Sequence, residues 1–167
     1  DIFMHIINDI YGLNLKNANN ILHDNFPSID LVDENSKKVV QVTSTTTLKK
    51  ARETIKKLKD LKYHQITDET SNSLKNSISF FRQLENYEEY EISFLYINDK
   101  PNIKTKNWES FLEEENLNES NFIGLDDLIE IIQADPTKCQ ILYNTIYQRL
   151  DNISFKFNID SYFELAE

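Results

Sequence analysis

The order of patterns along this chain predicts a mixed α/β layer architecture. Three observations carry that prediction. Apolar residues recur at helical spacing in several separate segments, three runs read as strands, and helical segments separate and follow those runs.

Taken in order, residues 1–11 form a helix with Ile2, Phe3, Ile6, Ile7 and Ile10 on one stripe. Gly12, followed by Asn14, Asn17, Asn19 and Asn20, marks its exit. A short edge strand fits between Asn14 and Asn25, although no clean pattern requires it. Ile29–Val32 reads as a short strand, "DENS" as a turn and Lys38–Thr43 as the returning strand, so the three make a hairpin. Helical spacing resumes at Leu48, runs to about Leu61, and continues more weakly through "NSLKNSISFFRQLENY". Tyr90–Ile97 alternates and then becomes wholly apolar, as a strand buried in a sheet does. "TKNWESFLEEENL" is a helix that buries Trp108, Phe111 and Leu112, and "NFIGLDDLIEIIQ" supplies a short strand or turn and a further helix. Pro136, in a first-turn position, opens a last helix that runs through Leu150. The architecture expected is a mixed sheet flanked by helices with additional C-terminal helices, one domain over residues 1–150. Residues 151–167, with the alternating "ISFKFNI", are expected as a linker or the start of a next domain, and both chain ends read as a piece cut from something longer.

At 167 residues, 40% of them hydrophobic, the chain is long enough to bury a substantial core, and no apolar run approaches the roughly 20 residues that a membrane helix needs. No membrane role is expected, and an intracellular, cytoplasmic location is the default reading. The single cysteine, Cys139, excludes an internal disulfide and reads as a small core residue. With two glycines there is no phosphate-binding glycine-rich loop, and no Gly-x-Ser-x-Gly turn offers a nucleophile elbow. His5, His23 and His64 lie in unrelated segments without metal-ligand spacing and are assigned to no site. Phe80, Phe81, Tyr87, Tyr90, Phe94, Tyr96 and Trp108 are expected in the core, and Glu113–Glu115 on a solvated helix face.

A formal net charge of -10 argues against a surface coated for polyanions, but the average hides an exception. Leu48–Lys62 carries seven Lys or Arg against two acids. Leu48, Ala51, Ile55 and Leu58 form the apolar stripe of that helix, with Lys49, Arg52, Lys56 and Lys59 beside it. Such a face is either merely solvated or a rail for a polyanion, and the segment before it bears on the choice. A hairpin whose strands cross or splay at the turn brings Asp30 near Gln41, placing a carboxylate and an amide oxygen together at a sheet edge. Both are hard oxygen ligands suited to Mg²⁺, and the Val42 carbonyl offers a third. Ser44–Thr47 supplies a hydroxyl to cap the helix, which needs only one of them.

This layout resembles the PD-(D/E)XK nuclease superfamily, the restriction-endonuclease-like fold, on "PSID" and "QVT". "IYGLNLKNANN", "FPSIDLVDE" and "QVTSTTTLKKARETI" more specifically resemble the SMEK domain, found at the front of larger multidomain bacterial proteins, several tied to anti-phage defence. The resemblance implies Asp30 as the metal-binding Asp and Gln41 as the second ligand, as in Mrr-like enzymes that carry Gln for Glu. Thr43 stands where the superfamily has Lys, and a threonine hydroxyl supplies neither positive charge nor a base near neutral pH. Lys49 or Lys50 would take over that role from the next helix, and Asp1 or Asp9 would replace a Glu of the first helix. The implied activity is Mg²⁺- or Mn²⁺-dependent hydrolysis of DNA by an effector domain, with Lys49, Lys50, Arg52 and Lys56 on the nucleic acid. Implied partners are DNA, C-terminal sensor or partner domains of the same system, and a second copy of the chain. The rival expectation is a degenerate nuclease fold that serves as an interaction or oligomerisation module, for which Thr43 and the acidic composition speak.

Overall fold

A computed structural model describes residues 2–23 and 26–154, which divide into two compact units, Asn14–Leu128 and the described parts of Asp1–Leu13 with Ile129–Glu167. The first unit is built on a five-stranded mixed sheet in the order β1 (Lys16–Asn17), β2 (Leu31–Asp33), β3 (Lys38–Thr43), β4 (Glu91–Tyr96) and β5 (Phe122–Ile123). β1, β2 and β3 pair antiparallel, whereas β3, β4 and β5 run parallel. Parallel neighbours need long crossovers, and helices fill both. α3 (Leu48–Tyr63) and α4 (Asn72–Phe81) join β3 to β4, and α5 (Lys106–Glu114) joins β4 to β5. A short helix α2 (Ala18–Ile21) lies between β1 and β2.

Strand alternation decides where the core lies. Val32, Val39, Ile92, Phe94, Tyr96 and Phe122 are buried with Ala51, Ile55, Leu58 and Leu61 of α3, Ile78 and Phe81 of α4, and Trp108 and Phe111 of α5. Phe94 and Phe122 stack with centroids 5.2 Å apart, and Trp108 meets Phe122 edge-on at 5.7 Å. Ile92–Tyr96 is buried throughout, as the centre of a parallel region requires.

Polar groups fix the ends of these elements. Thr47 caps α3 by accepting from the Lys50 N–H at 3.3 Å. At the other end, Arg82 donates to the Leu61 and His64 carbonyls at 3.0 and 2.8 Å, satisfying oxygens that the helix leaves open. Lys62 donates to the Tyr90 carbonyl, and burial pushes its ammonium below the usual lysine range against the opposing charges of Glu91 and Glu88. The β2–β3 turn is held by Asp33, a buried acid whose carboxylate accepts from Asn14 N–H at 2.8 Å, Asn35 N–H at 2.9 Å and Ser36 N–H at 3.1 Å.

In the second unit α1 (Ile2–Tyr11) packs against α7 (Pro136–Ser154), and α6 (Leu125–Ala134) precedes α7. Thr145 donates to Asp9 Oδ2 at 2.6 Å, and Arg149 meets His5 Nε2 at 2.6 Å. Gly12, at φ 65, ends α1 in the left-handed conformation that its position predicts. None of the described helices is long and apolar enough to cross a membrane.

Several expectations need correction. β2 lies one to two residues later than Ile29–Val32, because Asp33 pairs with Lys38 and the turn falls on Glu34–Lys37. α4 stops at Phe81, where the N–H groups of Gln83 and Leu84 turn to carbonyls three residues back. Cys139 is exposed on α7 rather than in the core, and Phe80 remains 39% exposed. Residues 151–154, which include the first two of "ISFKFNI", are the last of α7, and 155–167, like Asp1, lie outside the described residues. Phe111→Ala is expected to cost about 3 to 5 kcal/mol in chemical denaturation and Phe80→Ala less than about 1 kcal/mol, since only the first is enclosed. Equal losses would mean that the core is misplaced.

Candidate active site at the end of the hairpin

The last ladder pair of β2 and β3 sets Leu31 on Val40, and one step further Asp30 comes level with Gln41. The Asp30 N–H donates to the Val40 carbonyl at 2.9 Å. Its carboxylate Oδ2 accepts from Gln41 Nε2 at 2.6 Å and from the Val42 N–H at 2.7 Å. The strands therefore need neither cross nor splay: antiparallel register joins two residues eleven apart in sequence. Gln41 Nε2 also donates to the Val42 carbonyl at 3.0 Å, so its amide bridges the two other oxygen sites named from the sequence.

The other end of that amide is different. Gln41 Oε1 is buried with no hydrogen-bond partner among the described residues, an orphan acceptor of the kind that usually costs about 1 to 3 kcal/mol. Gln41 itself is buried on the strand that begins the crossover, and the site lies at the carboxyl end of β3, just before α3. In open sheets with parallel strands, that end is where ligands bind.

Thr43 is buried, and its hydroxyl accepts from the Thr45 N–H at 3.0 Å, so it shapes the turn into α3. The two candidate lysines separate. Lys50 is half-buried and its charge acts on the Asp30 carboxylate, whereas Lys49 has an 87% exposed side chain 4.0 Å from Glu53. Lys49 is therefore a surface residue beside an acid of its own helix. Arg52 donates to Glu114 at 2.9 Å and lies over the Phe111 ring at 5.1 Å, so its charge is matched within the fold. Lys56 is exposed. Asp9 belongs to the second unit, where it accepts from Thr145.

Sequence reasoning missed the part taken by Glu114 and Glu115. Read as solvated, they form ion pairs with Arg52 and Lys59 of α3. No signal in the sequence marks contacts between helices more than fifty residues apart. It also treated Asp33 as an ordinary turn residue, although the "D-x-N-S" pattern, with N–H groups two and three residues on, is a local cue for that carboxylate.

Two acids three residues apart are pushed in opposite directions. Burial pushes the Asp30 carboxyl up, opposed by the Val42 N–H and the Lys50 charge. Burial also pushes Asp33 up, but its bonds from Asn14, Ser36 and Asn35 outweigh this and hold it below the usual carboxylate range. Carboxyl NMR over an acid titration is expected to show Asp30 protonating first as pH falls and Asp33 last. By linkage, Asp33 contributes stability that is complete above its unfolded value near about 3.9 and lost as pH falls through its lower folded value. Asp30, with its folded value raised, contributes the opposite slope. Protonation of Asp33 before Asp30 would refute this account of both sites.

Among the described residues no group of three or more His, Cys, Asp or Glu side chains is arranged to hold a metal ion. A divalent ion would rest on Asp30, the Gln41 amide and the Val42 carbonyl, and the structure permits a test of fit. Turning the amide end for end puts Oε1 where Nε2 now lies, 2.6 Å from Asp30 Oδ2 and 3.0 Å from the Val42 oxygen. Both separations from the turned amide oxygen approach the edge of about 3 Å of an octahedron with metal–oxygen distances near 2.1 Å. No hydrogen bond to Oε1 resists the turn, and Nε2 would take over the unpartnered position. The donor set fits a Mg²⁺ ion that keeps several waters.

No curated protein and no solved structure matches this chain. A family model does match the segment that holds Asp30, Gln41, Val42, Thr43 and Lys50. Residues 1–70 match the model of the SMEK domain.

Proposed function

We propose that the SMEK segment is a nuclease-like effector, of the PD-(D/E)XK type, that hydrolyses DNA phosphodiester bonds with Mg²⁺ or Mn²⁺ as part of a bacterial anti-phage defence protein. The observation that carries the reading is the Gln41 amide at the carboxyl end of β3, 2.6 Å from the Asp30 carboxylate and 3.0 Å from the Val42 carbonyl. Bound there, a divalent ion supplies Lewis acidity towards a phosphate oxygen and an attacking water. Asp30 provides the one full negative charge of the donor set. Lys50 brings positive charge to the place from which Thr43 supplies none. Thr43 keeps the turn that sets α3 behind the site.

A specific observation favours a second reading, an interaction or oligomerisation module on a degenerate nuclease fold. The amide nitrogen of Gln41, and not its oxygen, faces Asp30, which closes the site on itself with hydrogen bonds.

The deciding experiment incubates the protein, with the other components of its system, with plasmid and linear DNA in Mg²⁺, beside Asp30→Asn. Wild-type cleavage that falls about 100-fold or more in the variant is expected, because the loss of the only carboxylate removes several kcal/mol of metal-dependent stabilisation. The Asn oxygen can still accept from Val42, so the fold is retained. Equal cleavage by both proteins, or none by either, would end the nuclease reading, and self-association in light scattering would then support the module.

A further inference from the structure

The basic residues of α3 divide by the turn of the helix. At about 100° per residue, Lys50 and Lys57 lie on one flank, about 20° apart, and Arg52 and Lys59 lie on the opposite flank. Lys49 and Lys56 share the crest between them with Glu53 and Asp60, where two cations meet two acids.

The Arg52–Lys59 flank faces α5 and is spent. Arg52 pairs with Glu114 and covers the Phe111 ring, and Lys59 pairs with Glu115. The next basic residue beyond, Lys62, is turned onto the Tyr90 carbonyl. On the Lys50–Lys57 flank nothing comparable occurs. Lys57 is exposed and no described residue pairs with it, and Lys50 acts on Asp30. Leu58 and Ile55 fix the helix on the sheet between the two flanks, so this division of charge is a property of the fold and not of side-chain choice.

Resting on the reading of Asp30 and Gln41 as a nucleic-acid site, we propose that Lys50 and Lys57 form a phosphate track leading to that site, and that the α5 carboxylates exclude the Arg52–Lys59 flank from it. The two lysines stand about 10.5 Å apart along the axis, seven residues at 1.5 Å each, close to the axial rise of three nucleotides of one strand. Nucleic-acid backbone is the class of ligand this flank fits: its two cations stand on one line at a separation close to a multiple of the phosphate rise, with no arginine on that flank to grip a small anion in bidentate fashion. The track replaces the single rail of Lys49, Lys50, Arg52 and Lys56 expected from the sequence.

The test is fluorescence anisotropy with labelled DNA of about 20 nucleotides, single-stranded and duplex, over about 50 to 200 mM KCl in EDTA, where cleavage does not interfere. Lys57→Gln is expected to weaken binding about 3- to 10-fold at the lowest salt and to reduce the slope of log affinity against log salt by about 0.7 to 0.9. Lys59→Gln, on the spent flank, is expected to stay within about 2-fold of wild type. A Glu114→Gln, Glu115→Gln double variant is expected to bind more tightly and with a steeper slope, because it releases two cations. Equal losses from Lys57→Gln and Lys59→Gln, no loss from Lys57→Gln, or no binding by the wild type would overturn the track. Cleavage keeps the two readings apart. If Lys57→Gln weakens binding while Asp30→Asn cleaves like wild type, the track stands and the metal site falls. If Asp30→Asn loses cleavage while Lys57→Gln binds normally, the reverse holds.

Discussion

The register of β2 on β3 is the constraint on which this molecule depends, and the Asp33 carboxylate holds it. Side chains on a strand alternate, so a slip of one residue would move Val32 and Val39 out of the core and separate Asp30 from Gln41. Asp33 blocks that slip by accepting three backbone N–H groups, two from the turn and one from Asn14 ahead of β1. A buried carboxylate is costly unless it is well bonded, and these donors meet the cost. One side chain thus ties three segments of chain, and the site at the far end of the hairpin inherits its alignment.

Beyond the hairpin, α3 is held at both ends and along its length. Thr47 fixes the start of the helix, Arg82 its end, and the Ala51, Ile55 and Leu58 stripe its rotation about its own axis. Rotation is what matters for charge. With the apolar stripe seated, Arg52 and Lys59 face α5, and Lys50 lies on the opposite flank, where its charge acts on Asp30. Exposed ion pairs such as Arg52–Glu114 contribute little to stability, roughly 0 to 1 kcal/mol. Their effect lies in the field: they cancel two of the seven positive charges of Leu48–Lys62 in a protein of net charge -10.

Elements with a strong period were legible in the sequence. Lys38–Thr43 is a strand at both predicted ends, and the helix beginning at Leu48 starts where its hydroxyl cap and apolar stripe place it. Weak periods misled: "NSLKNSISFFRQLENY" has apolar residues enough for a longer helix, but the helix ends at Phe81, where the Gln83 and Leu84 N–H groups turn to carbonyls three residues back. Exposure of Cys139 and Phe80 was beyond reach, because residue type gives only a tendency towards burial and the covering elements are remote in sequence. Of the site, Asp30, Gln41 and Val42 could be read from spacing because a hairpin is local. The choice of Lys50 over Lys49 depended on helix rotation, and the capture of Arg52 on a contact between helices that no local pattern encodes.

The glutamine explains why such a site can fold before any ion arrives. A glutamate in its place would set two carboxylates about 2.6 Å apart, and like charges at that distance cannot both stay ionised without a cation between them. Gln41 removes that demand by donating to Asp30 and to the Val42 carbonyl, so the pocket satisfies itself. The orphaned Oε1 sets a cost against this closed state, in which the amide makes two good hydrogen bonds on one side and leaves an acceptor unmet on the other. On the proposed reading, metal binding at this site would be an exchange, in which coordination must exceed the two hydrogen bonds it displaces. Affinity would be weaker than that of a paired-carboxylate site, and a phosphate held on Lys50 and Lys57 would add the anionic oxygen that the donor set lacks. Ion and nucleic acid would then bind more tightly together than either alone, with the closed, hydrogen-bonded state as the resting one.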